Sequence, residues 1–278
     1  MHDYSYKHSS NSLSSLKDAL SEDRLTKYLD YASNDWEKAL ELHSWNCALG
    51  ASLHIAIQHF ELMLRNACAR ELQTIFGNDW FNSLPPGNKP AIFSRVWFQS
   101  LINRAKECFW CCVSNHRKRR QPEIHEYLRE EIISVQLRLK QQKRNPNNGP
   151  CVVAALSFGF WVALFSKALD REFYNAGLYR AIPNQPPGKK QRQKFHAKLE
   201  RLKTLRNRIA HHEPLFHRNL EQAHKLILET SGYINTDAAN WIAYHSKFDE
   251  IWKNPPDLSK DDLERLRKRQ NDDTYFLV

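Results

Sequence analysis

In the stretch RNRIAHHEP, residues 206 to 214, an arginine and a histidine stand five places apart, Arg206 and His211, with His212 and Glu213 following. Side chains of these types can work on a phosphodiester. A histidine takes a proton from a ribose 2′-hydroxyl or gives one to a leaving 5′-oxygen, while a guanidinium holds the phosphate and the charge building on its oxygens. Such chemistry calls for no metal and no cofactor. Spacing alone is a weak signal: an arginine followed five places later by a histidine arises roughly once by chance in a chain of this composition, and Arg120 with His125 repeats it across Pro122.

The positioning elements constrain this chemistry. An α-helix turns about 100° per residue, which sets Arg206 and His211 about 140° apart around one axis and about 7.5 Å apart along it. They share a site only if the helix unwinds near His211, which Pro214 favours, or if a second copy of the helix faces the first across a two-fold axis. Phe195, Leu199, Leu202, Leu205 and Ile209 form the apolar stripe of the helix that carries them, expected to end at about His212.

Upstream, Ser21 is expected to cap a helix starting near residue 22, and Asp35 to cap the next, over DWEKALELHSWNCALG. Residues 52 to 76 carry a broad stripe (Leu53, Ile57, Phe60, Leu64, Ala67, Cys68, Leu72, Ile75) and read as a scaffold helix. NSLPPGNKP at 82 to 90, NPNNGP at 145 to 150 and IPNQPPGKK at 182 to 190 interrupt the helices. Between them helices are expected at 91 to 113 and 123 to 143, then later at 217 to 231 and 237 to 246. CVVAALSFGFWVALF, Cys151 to Phe165, reads as one buried helix, too short to span a bilayer. The expected architecture is all-α: a polar N-terminal tail at 1 to 20, one helical domain at 21 to 250 and a charged, peripheral tail at 251 to 278.

Composition agrees. The chain has 278 residues, 41% of them hydrophobic, with only 8 glycines, which suits a helical core rather than disorder. A formal charge of +10 attracts polyanions, and the basic run at 189 to 194 lies on the approach to Arg206. Lys189, Lys190, Arg192, Lys194 and Arg208 are therefore the expected RNA contacts. HRKRRQ at 116 to 121 and RLRKR at 265 to 269 are further basic runs, read as solvated faces. Six cysteines among apolar neighbours and an N-terminus without an apolar signal core point to a reducing, cytoplasmic setting with no membrane association.

Other constellations carry less. His212, Glu213 and His217 miss the zinc-protease spacing by one residue, and Pro214 breaks the helix that pattern needs. Cys108, Cys111, Cys112 and His116 could offer a metal soft ligands, but without a second Cys-x-x-Cys they read as half-buried thiols. Phe158, Phe160 and Trp161 could stack on bases, though their apolar surroundings read as core.

Four segments in matching order carry a family resemblance: LELHSWNCALG (40 to 50), HIAIQHFELMLRNACARELQTIFGNDWF (54 to 81), LSFGFWVALFSKALD (156 to 170) and LRNRIAHHEPLFHRNL (205 to 220). Together they resemble the bacterial Abi-like family of abortive infection and phage resistance. That family is in turn similar to the HEPN superfamily of helical proteins, many of them metal-independent ribonucleases acting as dimers. The resemblance implies that Arg206 orients phosphate, His211 acts as acid or base and Asn207 assists. His212, Glu213, Arg65 and Asn66 are supporting candidates; Arg65 and Asn66 either support the cluster through hydrogen bonds or simply pair with Glu61. Glu213 stands where nucleotidyl-controlled HEPN toxins carry a tyrosine, so control by that route is not expected. The implied function is a metal-independent RNA endonuclease of phage defence with RNA as substrate, a homodimer, and an antitoxin or phage-derived trigger as further partner. The alternative is a non-catalytic RNA- or protein-binding defence sensor.

Overall fold

The computed structural model describes residues 10–82 and 124–271. Two short helices, α1 (Ser10–Leu20) and α2 (Glu22–Leu29), lead into α3 (Trp36–Phe76). The stretch read as a polar tail thus carries a helix. Ser21 sits at the α1–α2 corner with φ 69° and makes no side-chain cap, a correction to its expected role. Asp35 does cap, its carboxylate accepting from the backbone N–H of Glu37 at 2.9 Å and Lys38 at 3.2 Å.

At 41 residues α3 is about 60 Å long. It runs unbroken through Gly50 and Ala51, where the sequence suggested two separate helices. Leu53, Ile57, Phe60, Leu64, Ala67, Cys68 and Leu72 are all buried along its expected stripe. By length and composition it is apolar enough to cross a membrane, but that stripe packs inside the protein, the pattern of a core helix.

The described residues form two compact units, one within Met1–Leu72 and Ser157–Val278, the other within Gln73–Leu156. The second holds α4 (Ile124–Gln141), buried through Leu128, Ile132, Val135 and Leu139, and α5 (Gly149–Ala155), started by the Asn148 side chain accepting from the Cys151 N–H. The single helix expected over Cys151 to Phe165 is in fact two. Leu156 turns extended, and Ser157 opens α6 (Phe158–Ala163) by accepting from the Phe160 N–H. Phe158, Phe160 and Trp161 are buried core residues, not a base-stacking platform. The helix expected at 91 to 113, the Cys108–His116 group, the run at 116 to 121 and Arg120 lie outside the described residues.

In the first unit, short 3₁₀ and π turns between Lys167 and Ala181 lead to α7 (Gln191–Ala210). Phe195, Leu199, Leu202 and Leu205 are buried on it. α8 (Leu220–Ile234) starts later than the sequence suggested, because Asn219 is its cap, accepting from the Gln222 N–H at 3.0 Å. α9 (Thr236–His245), α10 (Phe248–Trp252) and α11 (Lys260–Gln270) follow. The charged tail is not peripheral: Leu266 is buried on α11, Asp262 accepts from Ser33 and Ser259, and the Arg265 guanidinium lies over the Tyr31 ring, 4.6 Å from its centroid. No strand occurs among the described residues.

Candidate functional site

α7 ends in a Schellman turn. The Glu213 N–H donates to the Arg208 carbonyl and the His212 N–H to the Ile209 carbonyl, both at 3.0 Å, with His212 left-handed at φ 56°. Histidine tolerates that conformation better than most residues, although glycine is the usual occupant. Pro214 then forbids further helix. The Arg208 guanidinium closes the turn on the Glu213 carboxylate at 3.0 Å. His211 comes before the break: its N–H still donates to Asn207 at 2.9 Å, with φ −92° and ψ 8°. The chain unwinds after His211, so the unwinding does not turn that imidazole toward Arg206.

The charge of Arg206 acts instead on α3, at Glu61. The Arg206 Nε is buried without a hydrogen-bond partner among the described residues. The α3 carboxyl of Glu61 is pushed up by burial and pulled back by positive charge, first from Arg206, then from Arg65 and His54. His54, Glu61 and Arg65, spaced seven and four residues apart, form one ridge of α3. The charge of Arg65 thus reaches the same carboxyl as that of Arg206. Asn66, Asn207, His211 and His212 are exposed, and Glu213 is half-buried.

The loop after the Schellman turn is held from three sides. Asn46, buried on α3, accepts from the backbone N–H groups of Leu215 at 2.6 Å and Phe216 at 3.0 Å. Tyr28 of α2 stacks on Phe216 with centroids 5.0 Å apart, and Gln270 of α11 donates to the Phe216 carbonyl at 2.8 Å. Four residues beyond Asn46, Leu215 and Ile209 pack over Gly50, where an added Cβ would meet them at ordinary contact distances of 3.8 and 4.0 Å. Sequence reading missed Asn46. Its signal was a polar amide between Leu42 and Leu49 on the face α3 buries.

The expected RNA track separates into two kinds of residue. Lys189, Lys190 and Lys194 are exposed. Arg192 is not available, a correction to its expected role: its side chain is 8% exposed, paired with Asp170 at 2.8 Å and donating to the Phe165 carbonyl at 2.6 Å. A buried guanidinium with these partners braces the α6–α7 connection. Among the described residues no three His, Cys, Asp or Glu side chains gather to hold a metal ion, the His212–Glu213–His217 set included. A cavity of about 290 Å³ is lined by Tyr174, Tyr179, Arg180 and Gln191 among others, and by none of the expected site residues. His224 lies 2.9 Å from the Ser246 hydroxyl, but its other nitrogen is 3.9 Å from Asp249, beyond hydrogen-bond reach, so the trio lacks the bonding of a hydrolase triad.

Comparison with known proteins gives one match: the model of a family described as Abi-like protein fits residues 3–217. No curated protein and no solved structure matches the chain.

Proposed function

The chain belongs to the Abi-like protein family, which supports a role in abortive infection, and from that premise we propose that it is a metal-independent RNA endonuclease whose site is shared between two copies. The observation that carries this reading is the contrast at the end of α7. Arg206 is half-buried beside Glu61 and Arg65, and the exposed His211 keeps its helical bond to Asn207. Within one straight helix the two side chains diverge by about 140°. A two-fold partner brings Arg206 and His211 from both copies to one phosphodiester.

In this cleft Arg206, oriented by Glu61, carries the phosphate charge, and Asn207 assists. One His211 takes the 2′-hydroxyl proton as the 2′-oxygen attacks phosphorus, and the other protonates the departing 5′-oxygen. The products are a 2′,3′-cyclic phosphate and a 5′-hydroxyl. Surface composition favours self-association: Ile55 (54% exposed) and Leu62 (43%) sit one position along α3 from His54 and Glu61, and Trp241 on α9 (51%) touches His59 with rings 4.8 Å apart. An apolar patch of this kind marks a contact surface.

The test uses purified protein and RNA with EDTA present. Arg206→Ala and His211→Ala are each expected to abolish cyclic-phosphate ends with the fold retained. Mixing wild type with an equal amount of His211→Ala halves cleavage per wild-type chain, since half of the wild-type chains reassort into mixed dimers that lack one of the two histidines. Wild type that binds RNA without cutting it refutes the reading in favour of a non-catalytic sensor, and a mixture that keeps full cleavage per wild-type chain refutes the shared site.

A further inference from the structure

The cavity of about 290 Å³ opens where the turns between α6 and α7 reach the start of α7. An aromatic ladder leads into it from the core: the buried Phe165 meets Tyr174 edge to face with centroids 6.4 Å apart, and Tyr174 meets Tyr179 in the same way at 6.2 Å. Tyr179 is 48% exposed, and the Arg180 guanidinium lies over its ring, 5.4 Å from the centroid. Glu71 of α3 holds that guanidinium, accepting from the Arg180 Nε at 3.2 Å. The bond offsets the charge and fixes the plane, and the two terminal nitrogens keep their donors, engaged by no described residue.

The rest of the lining is tied down. Gln185 Nε2 donates to the Gln191 carbonyl at 3.0 Å and Gln191 Nε2 to the Pro186 carbonyl at 2.8 Å. Asn184 joins the same segment to α8, its N–H donating to the Tyr233 carbonyl at 3.0 Å and its side chain to the Gly232 carbonyl at 3.1 Å. The pocket is therefore preformed. Each glutamine keeps its side-chain oxygen as an acceptor, and no carboxylate is among the described residues that line the cavity. The exposed Lys189 and Lys190 immediately precede Gln191. Tyrosine rings and a guanidinium plane stack on the flat face of a base, and amides read its edge. A bare phosphate would make no use of the rings, and a cationic ligand would meet like charge. The volume stands at the lower limit of about 300–1,000 Å³ for small-molecule pockets, the scale of one base with its sugar.

We propose that Tyr174, Tyr179, Arg180, Gln185 and Gln191 form a nucleotide pocket, in which a base stacks against the Tyr179–Arg180 pair and its phosphate meets Lys189 and Lys190. From Gln191 to Ala210 α7 rises about 30 Å, so the pocket stands apart from the His211 end and does not rest on the ribonuclease reading. The base seated here belongs either to an RNA strand, well away from any bond cut at His211, or to a free nucleotide.

The test uses the full chain in a His211→Ala background, so that nothing is cut. Isothermal calorimetry measures binding of each ribonucleoside 5′-monophosphate and of ribose 5-phosphate as a base-free probe, and fluorescence anisotropy measures binding of a short single-stranded RNA. Tyr179→Ala should weaken nucleotide binding at least about fivefold, the loss of one stacking partner. Tyr179→Phe keeps the ring and should stay within about twofold of its parent on the same ground. Arg180→Lys keeps a charge for Glu71 but loses the plane, and should weaken binding as Tyr179→Ala does, while Lys225→Ala, on exposed α8 surface, changes nothing. Variant-sensitive RNA binding without monophosphate binding assigns the pocket to a base of an RNA strand; variant-sensitive monophosphate binding with unaltered RNA affinity assigns it to a free nucleotide. The pocket is overturned if no monophosphate binds and RNA affinity is unaltered in Tyr179→Ala and Arg180→Lys. Ribose 5-phosphate that binds as tightly as the monophosphates, or a Tyr179→Phe variant as weak as Tyr179→Ala, overturns it as well. Wild-type cleavage is scored separately, so a chain that binds nucleotide here without cutting RNA loses the ribonuclease reading and keeps the pocket.

Discussion

Replacing Asn46 by alanine is the most direct way to ask what holds the His211 end of α7. One amide oxygen accepts from two backbone donors, at 2.6 Å from Leu215 and 3.0 Å from Phe216, and Asn46 is 6% exposed. Alanine removes the acceptor and leaves two buried N–H groups with no partner, each costing about 1–3 kcal/mol, partly relieved where the loop shifts toward solvent. The expected loss is about 2–4 kcal/mol. For a chain of this size that is a fall in melting temperature of about 3–7 °C. Urea unfolding read from circular dichroism should show the midpoint falling at constant slope. Asn46→Asp keeps an oxygen in the same place and should recover more than half of the loss. An alanine variant within about 0.5 kcal/mol of wild type, the ordinary range for an inconsequential substitution, or an aspartate variant as damaged as alanine, would refute this account of the loop.

Three further outcomes follow from the same geometry. His217 titrates near 3 in the folded chain, below the ordinary histidine value, so its contribution is complete above about pH 6.5 and is lost as pH falls from there toward 3, at up to about 1.4 kcal/mol per pH unit; between pH 7.5 and 5.5, His217→Gln should lose about 1 kcal/mol less than wild type in urea unfolding. Gly50→Ala should stabilise by about 0.5–1 kcal/mol, since the added Cβ meets Leu215 and Ile209 at ordinary contact distance and alanine favours helix; a lowered urea midpoint would show that the approach of the loop is tighter than this. Arg192→Ala should cost about 2 kcal/mol through its lost bonds to Asp170 and Phe165, while RNA affinity by anisotropy stays that of wild type, in contrast to Lys194→Ala.

Local features of the fold were legible because they rest on short-range physics. The α3 stripe from Leu53 to Leu72 and the α7 stripe from Phe195 to Leu205 follow the helical period, and Pro214 fixes where α7 stops. The division at Leu156–Ser157 was hidden because both sides are apolar, and a run of such residues does not say whether one helix or two will bury it. A mid-helix glycine obscured the continuity of α3. Arg192 looked like its basic neighbours because its partners, Asp170 and Phe165, lie a turn-rich connection away. For the candidate site, residue types and the family resemblance named Arg206 and His211, but the placing of Glu61 within reach of the Arg206 charge depends on packing between remote segments.

The Phe216 carbonyl accepts its hydrogen bond from a residue 54 positions later, and the N–H groups of Leu215 and Phe216 donate to a partner 169 and 170 positions earlier. During synthesis the early anchor is therefore ready when the loop leaves the ribosome, whereas the late one has yet to be translated. Bringing such distant pieces together carries a chain-closure entropy that local helix formation avoids. Nascent chains stalled before residue 260 should accordingly expose the 211–219 segment to limited proteolysis, and protection should arrive only with α11. This order of assembly leaves the loop held from the α3 and α2 sides alone until α11 has been made.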